Sequence, residues 1–113
     1  MPHLVVEYSE GALDKAGVGT LLQALHHAAA GTGVMQAADI KLRARAHDDY
    51  LVAGIRDSFV HVTVSMLAGR SPEQKLALSL ALREAMVAHC PAVTSLSVDI
   101  RDMDPDAYKK RLL

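Results

Sequence analysis

Residues 59–102 read FVHVTVSMLAGRSPEQKLALSLALREAMVAHCPAVTSLSVDIRD, and this stretch decides the fold. It opens on strict alternation, with Val60, Val62, Val64 and Met66 opposed to Phe59, His61, Thr63 and Ser65, as in a strand with one buried face. Ser71 is placed to cap a helix, Pro72 suits its first position, and Gln74 can close a capping box on Ser71. In that helix Leu76, Leu80, Met86 and Val87 are expected to line a buried stripe, broadened by Ala77, Leu78 and Leu82, until Pro91 ends it. A second alternating strand follows, setting Leu96, Val98 and Ile100 against Ser95, Ser97, Asp99 and Arg101. The helix between the strands leaves room for a crossover, so the two strands should pair in parallel.

The first half of the chain repeats this order without repeating the sequence. Residues His3 to Tyr8 read as a strand closed by a turn at Ser9 to Gly11. Residues 14–33 place Val18, Leu21, Leu22, Leu25 and Ala29 on one side at helical spacing, and Gly31 and Gly33 stop the run. IKLRARA then alternates Ile40, Leu42, Ala44 and Ala46 with Lys41, Arg43 and Arg45. HDDY, residues 47–50, interrupts it before the strand at 59. The expectation is an α/β (α+β) fold, residues 1–113 forming one domain. Its two β-α-β units make a mixed four-stranded sheet with both helices on one face. The other face would mix polar groups with Val5 and Phe59, which suggests that subunits pack there.

Composition narrows the function. Half the residues are hydrophobic, and 12 basic residues against 13 acidic ones give a net charge of -1. That is a folded globular composition with no electrostatic argument for nucleic acid. Cys90 stands alone, so no intrachain disulfide forms, and its place beside Pro91 after an apolar run reads as a small buried hydrophobe. No basic leader precedes an apolar stretch and no run reaches membrane-spanning length, so a cytoplasmic location without membrane contact is expected.

The candidate chemistry begins at MPH. Proline suits the start of a strand because it has no ladder N–H to give. If Met1 is removed, Pro2 also becomes a secondary amine, whereas inside a chain its nitrogen is an amide without a usable lone pair. Desolvation and nearby cations would lower the pKa of such an amine and suit it to proton transfer. Lys41, Arg43 and Arg45 project from one strand face, either as a solvated edge or as an anion-binding surface. Arg43 can clamp a carboxylate through two hydrogen bonds and Lys41 supplies a point charge. Arg70 directly precedes the capped helix, whose N-terminus could strengthen an anion pocket. The histidines are scattered, His26 and His27 lack ligand spacing, and no metal or cofactor is implied.

MPHLVVEYS, the IKLRA strand, FVHVTVSMLAGRS and the following helix together resemble the 5-carboxymethyl-2-hydroxymuconate delta-isomerases of the tautomerase superfamily. The resemblance covers nearly the whole chain. It implies a homotrimer of β-α-β units, with sites near subunit boundaries and a place in the catabolism of aromatic compounds such as homoprotocatechuate. Pro2 would carry the proton, while Arg70, Arg43 and Lys41 would bind the carboxylates of an unsaturated 2-hydroxy or 2-oxo acid and stabilise the developing dienolate. The family's strand arginine falls at Lys41, Arg43 keeps an arginine two residues later, and the segment before FVHVTV is shorter and lacks tryptophan. Two alternatives remain at this point: a broader tautomerase of small enol acids, and an assembly module that binds organic acids without turning them over.

Overall fold

In the computed structural model, which describes all 113 residues, the chain runs β1 (His3–Ser9), α1 (Lys15–Gly31), β2 (Lys41–His47), β3 (Phe59–Leu67), α2 (Pro72–His89) and β4 (Ser95–Met103). A short 3-10 turn, Ala37–Asp39, leads into β2. The strands form one sheet in the order β2-β1-β3-β4. Each half pairs its own strands in parallel, β1 with β2 and β3 with β4, and the halves meet through the antiparallel pair β1–β3. The mixed sheet with both helices on one face is therefore as the alternation and crossovers require.

Strand parity fixes the two faces. Leu4, Val6, Val60, Val62, Val64 and Met66 are all buried, and Leu21, Leu25 and Ala29 of α1 cover them together with Leu78, Leu82 and Met86 of α2. Val5 and Phe59 on the opposite face stay half-buried. Cys90 completes the core, and burial pushes its thiol pKa up. Ser9 is the one polar residue in the buried set, and it belongs to β1 rather than to the turn expected there. Its hydroxyl accepts from the Phe59 N–H at 3.0 Å and donates to the Phe59 carbonyl at 3.4 Å, which satisfies a group that would be costly to bury alone.

The phase of α2 corrects the expected stripe. Leu78, Leu82 and Met86 are fully buried, whereas Leu76, Leu80 and Val87 are 59%, 43% and 52% exposed and Ala77 is also exposed. The reason lies in the spacing. Leucines at 76, 78, 80 and 82 recur every second residue, and each such step turns about 200° around a helix, on 3.6 residues per turn. Alternate leucines thus face opposite ways, and only one set can reach the sheet. The helix ends are as read: Ser71 and Gln74 form the reciprocal capping box with Pro72 in the first turn. At α1 the cap is Asp14, whose carboxylate accepts from the Gly17 N–H.

The helix phase gives a direct test. Leu82→Ala should destabilise the fold by about 2–5 kcal/mol, the range for emptying a packed core position. Leu80→Ala should cost less than about 1 kcal/mol. Urea unfolding of the two variants checks this, and equal losses would contradict the placement of α2.

Candidate active site

Three local arrangements bring Pro2 and Arg70 to one place. The Pro2 carbonyl accepts from the Lys41 N–H at 3.1 Å, the first rung of the β1–β2 ladder, and this holds the chain start against the sheet with Pro2 fully buried. After α1, the Thr32 hydroxyl donates to the Ala29 carbonyl at 2.7 Å and accepts from the Val34 N–H at 3.1 Å. Gly33 turns the chain there at a φ of +74°, a conformation that glycine adopts without the Cβ penalty. That turn presents the Val34 carbonyl to Arg70, which donates from Nε at 3.4 Å and from Nη2 at 3.3 Å. The Arg70 Nη1 donates to the Leu67 carbonyl at 3.1 Å, and Gly69, at a φ of +131°, makes the reversal that allows it. These bonds engage three of the five guanidinium N–H groups and leave two for a ligand.

The result is a cavity of about 470 Å³ lined by Met1, Pro2, Val34, Gln36, Asp39 and Arg70 among others. Pro2 reaches it because residues 2, 4 and 6 share the helix-covered face of β1. Burial lowers the pKa of the chain's terminal amine at Met1, with Lys110, Arg70 and Lys41 adding to the effect and Asp39 opposing it. An amine here is therefore held toward its neutral, proton-accepting form.

The other two expected site residues lie elsewhere in the protomer. The β1–β2 register sets Lys41 opposite His3, Arg43 opposite Val5 and Arg45 opposite Glu7, so all three cations share the open face of the sheet. Arg43 and Arg45 line a separate hollow of about 420 Å³ with Val5, Glu7 and Ala44. Lys41 donates to the Asp39 carbonyl at 3.5 Å. Within one protomer the basic strand and Pro2 therefore lie on opposite faces, since odd and even positions of a strand cannot face the same way. The α2 N-terminus is also not part of the cavity wall. Its amides are used internally, Gln74 N–H donating to the Ser71 hydroxyl at 3.1 Å and Ser71 N–H to the Gln74 side-chain Oε1 at 2.9 Å.

Two residues that sequence reading missed stand beside Pro2. His3 bonds Arg43 Nη1 through Nδ1 at 3.2 Å and the Tyr108 hydroxyl through Nε2 at 2.8 Å. A guanidinium can only donate, so Nδ1 accepts, and the neutral ring carries its proton on Nε2 and donates it to Tyr108. Asp39 was missed as well. No spacing pattern marks it, because it enters through the 3-10 turn before β2.

The 5-carboxymethyl-2-hydroxymuconate isomerase family model matches residues 2–112. The chain belongs to that family. The 5-carboxymethyl-2-hydroxymuconate isomerases lie within the tautomerase superfamily, a group of enzymes that act on small unsaturated carboxylates. The 5-carboxymethyl-2-hydroxymuconate Delta-isomerase of Escherichia coli is 29% identical, over 93% of this chain and 89% of that protein. The solved 5-carboxymethyl-2-hydroxymuconate isomerase from Deinococcus radiodurans R1 is 27% identical and superposes with a TM-score of 0.82, over 97% of this chain and 88% of that one. A structure described as a fused 4-OT wild type symmetric trimer is 31% identical with a TM-score of 0.78, over 90% of this chain and 85% of that one. The matched stretch starts at Pro2, one of the residues that line the cavity.

The His3 arrangement predicts a pH effect. Burial lowers the His3 pKa from its ordinary 6.5, and Arg43, Lys41 and the terminal amine lower it further. The folded chain therefore binds fewer protons here than the unfolded chain, so this contribution to stability is complete above about 6.5 and is lost as pH falls through the folded value. Arg43→Ala should move the His3 pKa upward, as followed by NMR titration of the imidazole. A downward or zero shift would contradict the Arg43–His3 contact.

Proposed function

We propose that this chain moves a double bond in an unsaturated 2-hydroxy or 2-oxo dicarboxylate of the 5-carboxymethyl-2-hydroxymuconate type, with Pro2 as the proton carrier. The observation that carries this reading is the sharing of one cavity by Pro2 and a partly free guanidinium, that of Arg70. Once Met1 is cleaved, the Pro2 nitrogen is a secondary amine in surroundings that already hold a terminal amine toward neutrality. The vacated Met1 volume adds room for substrate in the same cavity.

In the proposed reaction the neutral amine takes a proton from the substrate and becomes a secondary ammonium. The electron pair left behind spreads over a dienolate, whose charge the two remaining Arg70 N–H groups stabilise. The ammonium then returns a proton to a different carbon, so the double bond moves into conjugation with the ketone and the amine is regenerated. One small base serves both transfers because the substrate is held against it. No proton is gained or lost overall.

Assembly belongs to the same reading. The open sheet face, with half-buried Val5 and Phe59 among Lys41, Arg43 and Arg45, is the surface that a homotrimer would cover. Arg43 and Lys41 are assigned to that boundary, where the basic face of one copy would border the cavity of another and add to its anion binding. The isomerase reading is favoured over a binding module because a module has no need of a terminal amine that partial burial and neighbouring cations hold toward neutrality. Membership of a catalytic family supports the same choice. It also connects the chain with the breakdown of aromatic compounds.

Active protein should show an intact mass lacking Met1. Pro2→Ala should retain reduced but detectable activity, since a primary amine remains in nearly the same place, whereas one residue added before Pro2 should abolish it. The rate should rise with pH as the amine loses its proton. Full turnover, by ultraviolet absorbance, in a homogeneous sample that keeps Met1 would refute Pro2 as the base. Separately, sedimentation equilibrium should give about three times the chain mass, as closed threefold symmetry requires. A monomer at all concentrations would remove the trimer.

A further inference from the structure

The end of α1 departs from the usual glycine ending. GTGV, residues 31–34, puts Thr32 at the helix C-cap and Gly33 just beyond it at a φ of +74°. A helix that turns on such a glycine is commonly closed by two bonds, one from the glycine N–H and one from the N–H after it, which reaches back to the carbonyl three residues before the cap. The first is present, Gly33 N–H donating to the Ala30 carbonyl at 3.2 Å. The second is interrupted. The Thr32 hydroxyl donates to the Ala29 carbonyl at 2.7 Å and accepts from the Val34 N–H at 3.1 Å, so one oxygen stands between the two groups that would otherwise meet. It holds the Val34 peptide off the helix end, and the Val34 carbonyl receives Nε and Nη2 of Arg70.

We propose that the Thr32 hydroxyl is a positioning group for Arg70, spacing the Val34 carbonyl so that the guanidinium keeps its two free N–H groups turned to the Pro2 cavity. The inference rests on the reading of Arg70 as the cation that stabilises the dienolate, and adds to it a residue that acts only through another. Two of the three anchored N–H groups of Arg70 depend on the Val34 carbonyl, and the third goes to Leu67 at 3.1 Å. A planar guanidinium held at one carbonyl can swing about it, whereas two carbonyls fix both its place and its plane. Gly33, Val34 and Arg70 all line the cavity, and Thr32 stands behind them outside it.

Removing the hydroxyl has a specific consequence. The Val34 N–H and the Ala29 carbonyl can then bond directly, in the commoner closure, so neither is left unpaired at the half-buried turn. The fold should lose little, while the Val34 peptide moves toward the helix and its carbonyl away from Arg70. Stability and turnover are thereby separated. A residue needed only to end the helix would couple them.

The test compares Thr32→Val, Thr32→Ala, Thr32→Ser, Arg70→Ala and the double variant Thr32→Val with Arg70→Ala in the processed enzyme, using 5-carboxymethyl-2-hydroxymuconate. Thr32→Val keeps the shape of the side chain without the oxygen. It should lower kcat about tenfold, less than the roughly hundredfold expected for Arg70→Ala, because the cation is misplaced rather than lost. KM should stay within about twofold, as for an interaction made in the transition state. Thr32→Ser, which keeps the oxygen, should restore kcat. The Arg70 Nε–H resonance, identified by its absence from Arg70→Ala, should exchange with water faster in Thr32→Val. In the Arg70→Ala background Thr32→Val should cost nothing further, since its effect passes through the guanidinium. The same loss in both backgrounds would mean that Thr32 acts on structure alone and would overturn the proposal, as would a large fall in the urea midpoint of both Thr32→Val and Thr32→Ala. If Arg70→Ala is impaired while Thr32→Val matches the parent in kcat and in Nε–H exchange, the role of Thr32 is overturned and Arg70 stands. If Arg70→Ala keeps full activity, the reading beneath both falls.

Discussion

The structure depends on the parity of β1. A strand offers its side chains to opposite faces in turn, and here only one face is covered by helices. Leu4 and Val6 bind the chain to α1 and α2, and this settles where every other residue of the strand must point. Pro2 shares their face and is buried beside the end of α1. His3, Val5 and Glu7 look the other way and meet Lys41, Arg43 and Arg45 across the parallel register. The Pro2 end and the basic strand are thus neighbours in the sheet yet belong to different sides of it. A one-residue slip would exchange those sides and empty the core at once.

Much of this was legible in the residues. The capping box at Ser71 and Gln74, the alternation of Val60, Val62 and Val64, and the apolar spacing of Leu21, Leu25 and Ala29 each have a local physical cause. Together they allow few topologies. The phase of α2 was not legible, because leucine at every second position offers the sheet two equivalent faces, and the choice is made by tertiary packing. At the site, Pro2 and Arg70 could be singled out from residue type and position. Arg43 and Lys41 were rightly placed on one strand face, but that this face is turned from Pro2 follows only when the register with β1 is known. Tyr108 and Asp39 left no pattern at all. One acts across nearly the full length of the chain and the other through a single short turn.

The electrostatics of the cavity are a balance rather than a simple excess of positive charge. Burial is the largest influence on the terminal amine, and the surrounding cations act with it. Asp39 acts against them. The carboxylate in the cavity wall thus offsets part of the positive charge that the neighbouring cations bring there.

Arg70 is a brace as well as a cation. Its bonds to the carbonyls of Val34 and Leu67 tie the turn after α1, in the first half, to the turn before α2, in the second. Almost all of the cavity wall comes from the first half, and the guanidinium is the contribution of the second. The distance between Pro2 and the guanidinium is therefore set by how the two halves dock along β1 and β3, not by the local geometry of either. Substitutions buried between those strands, far from the cavity, would change the spacing of Pro2 and Arg70, so on the proposed mechanism turnover would serve as a sensitive gauge of sheet twist.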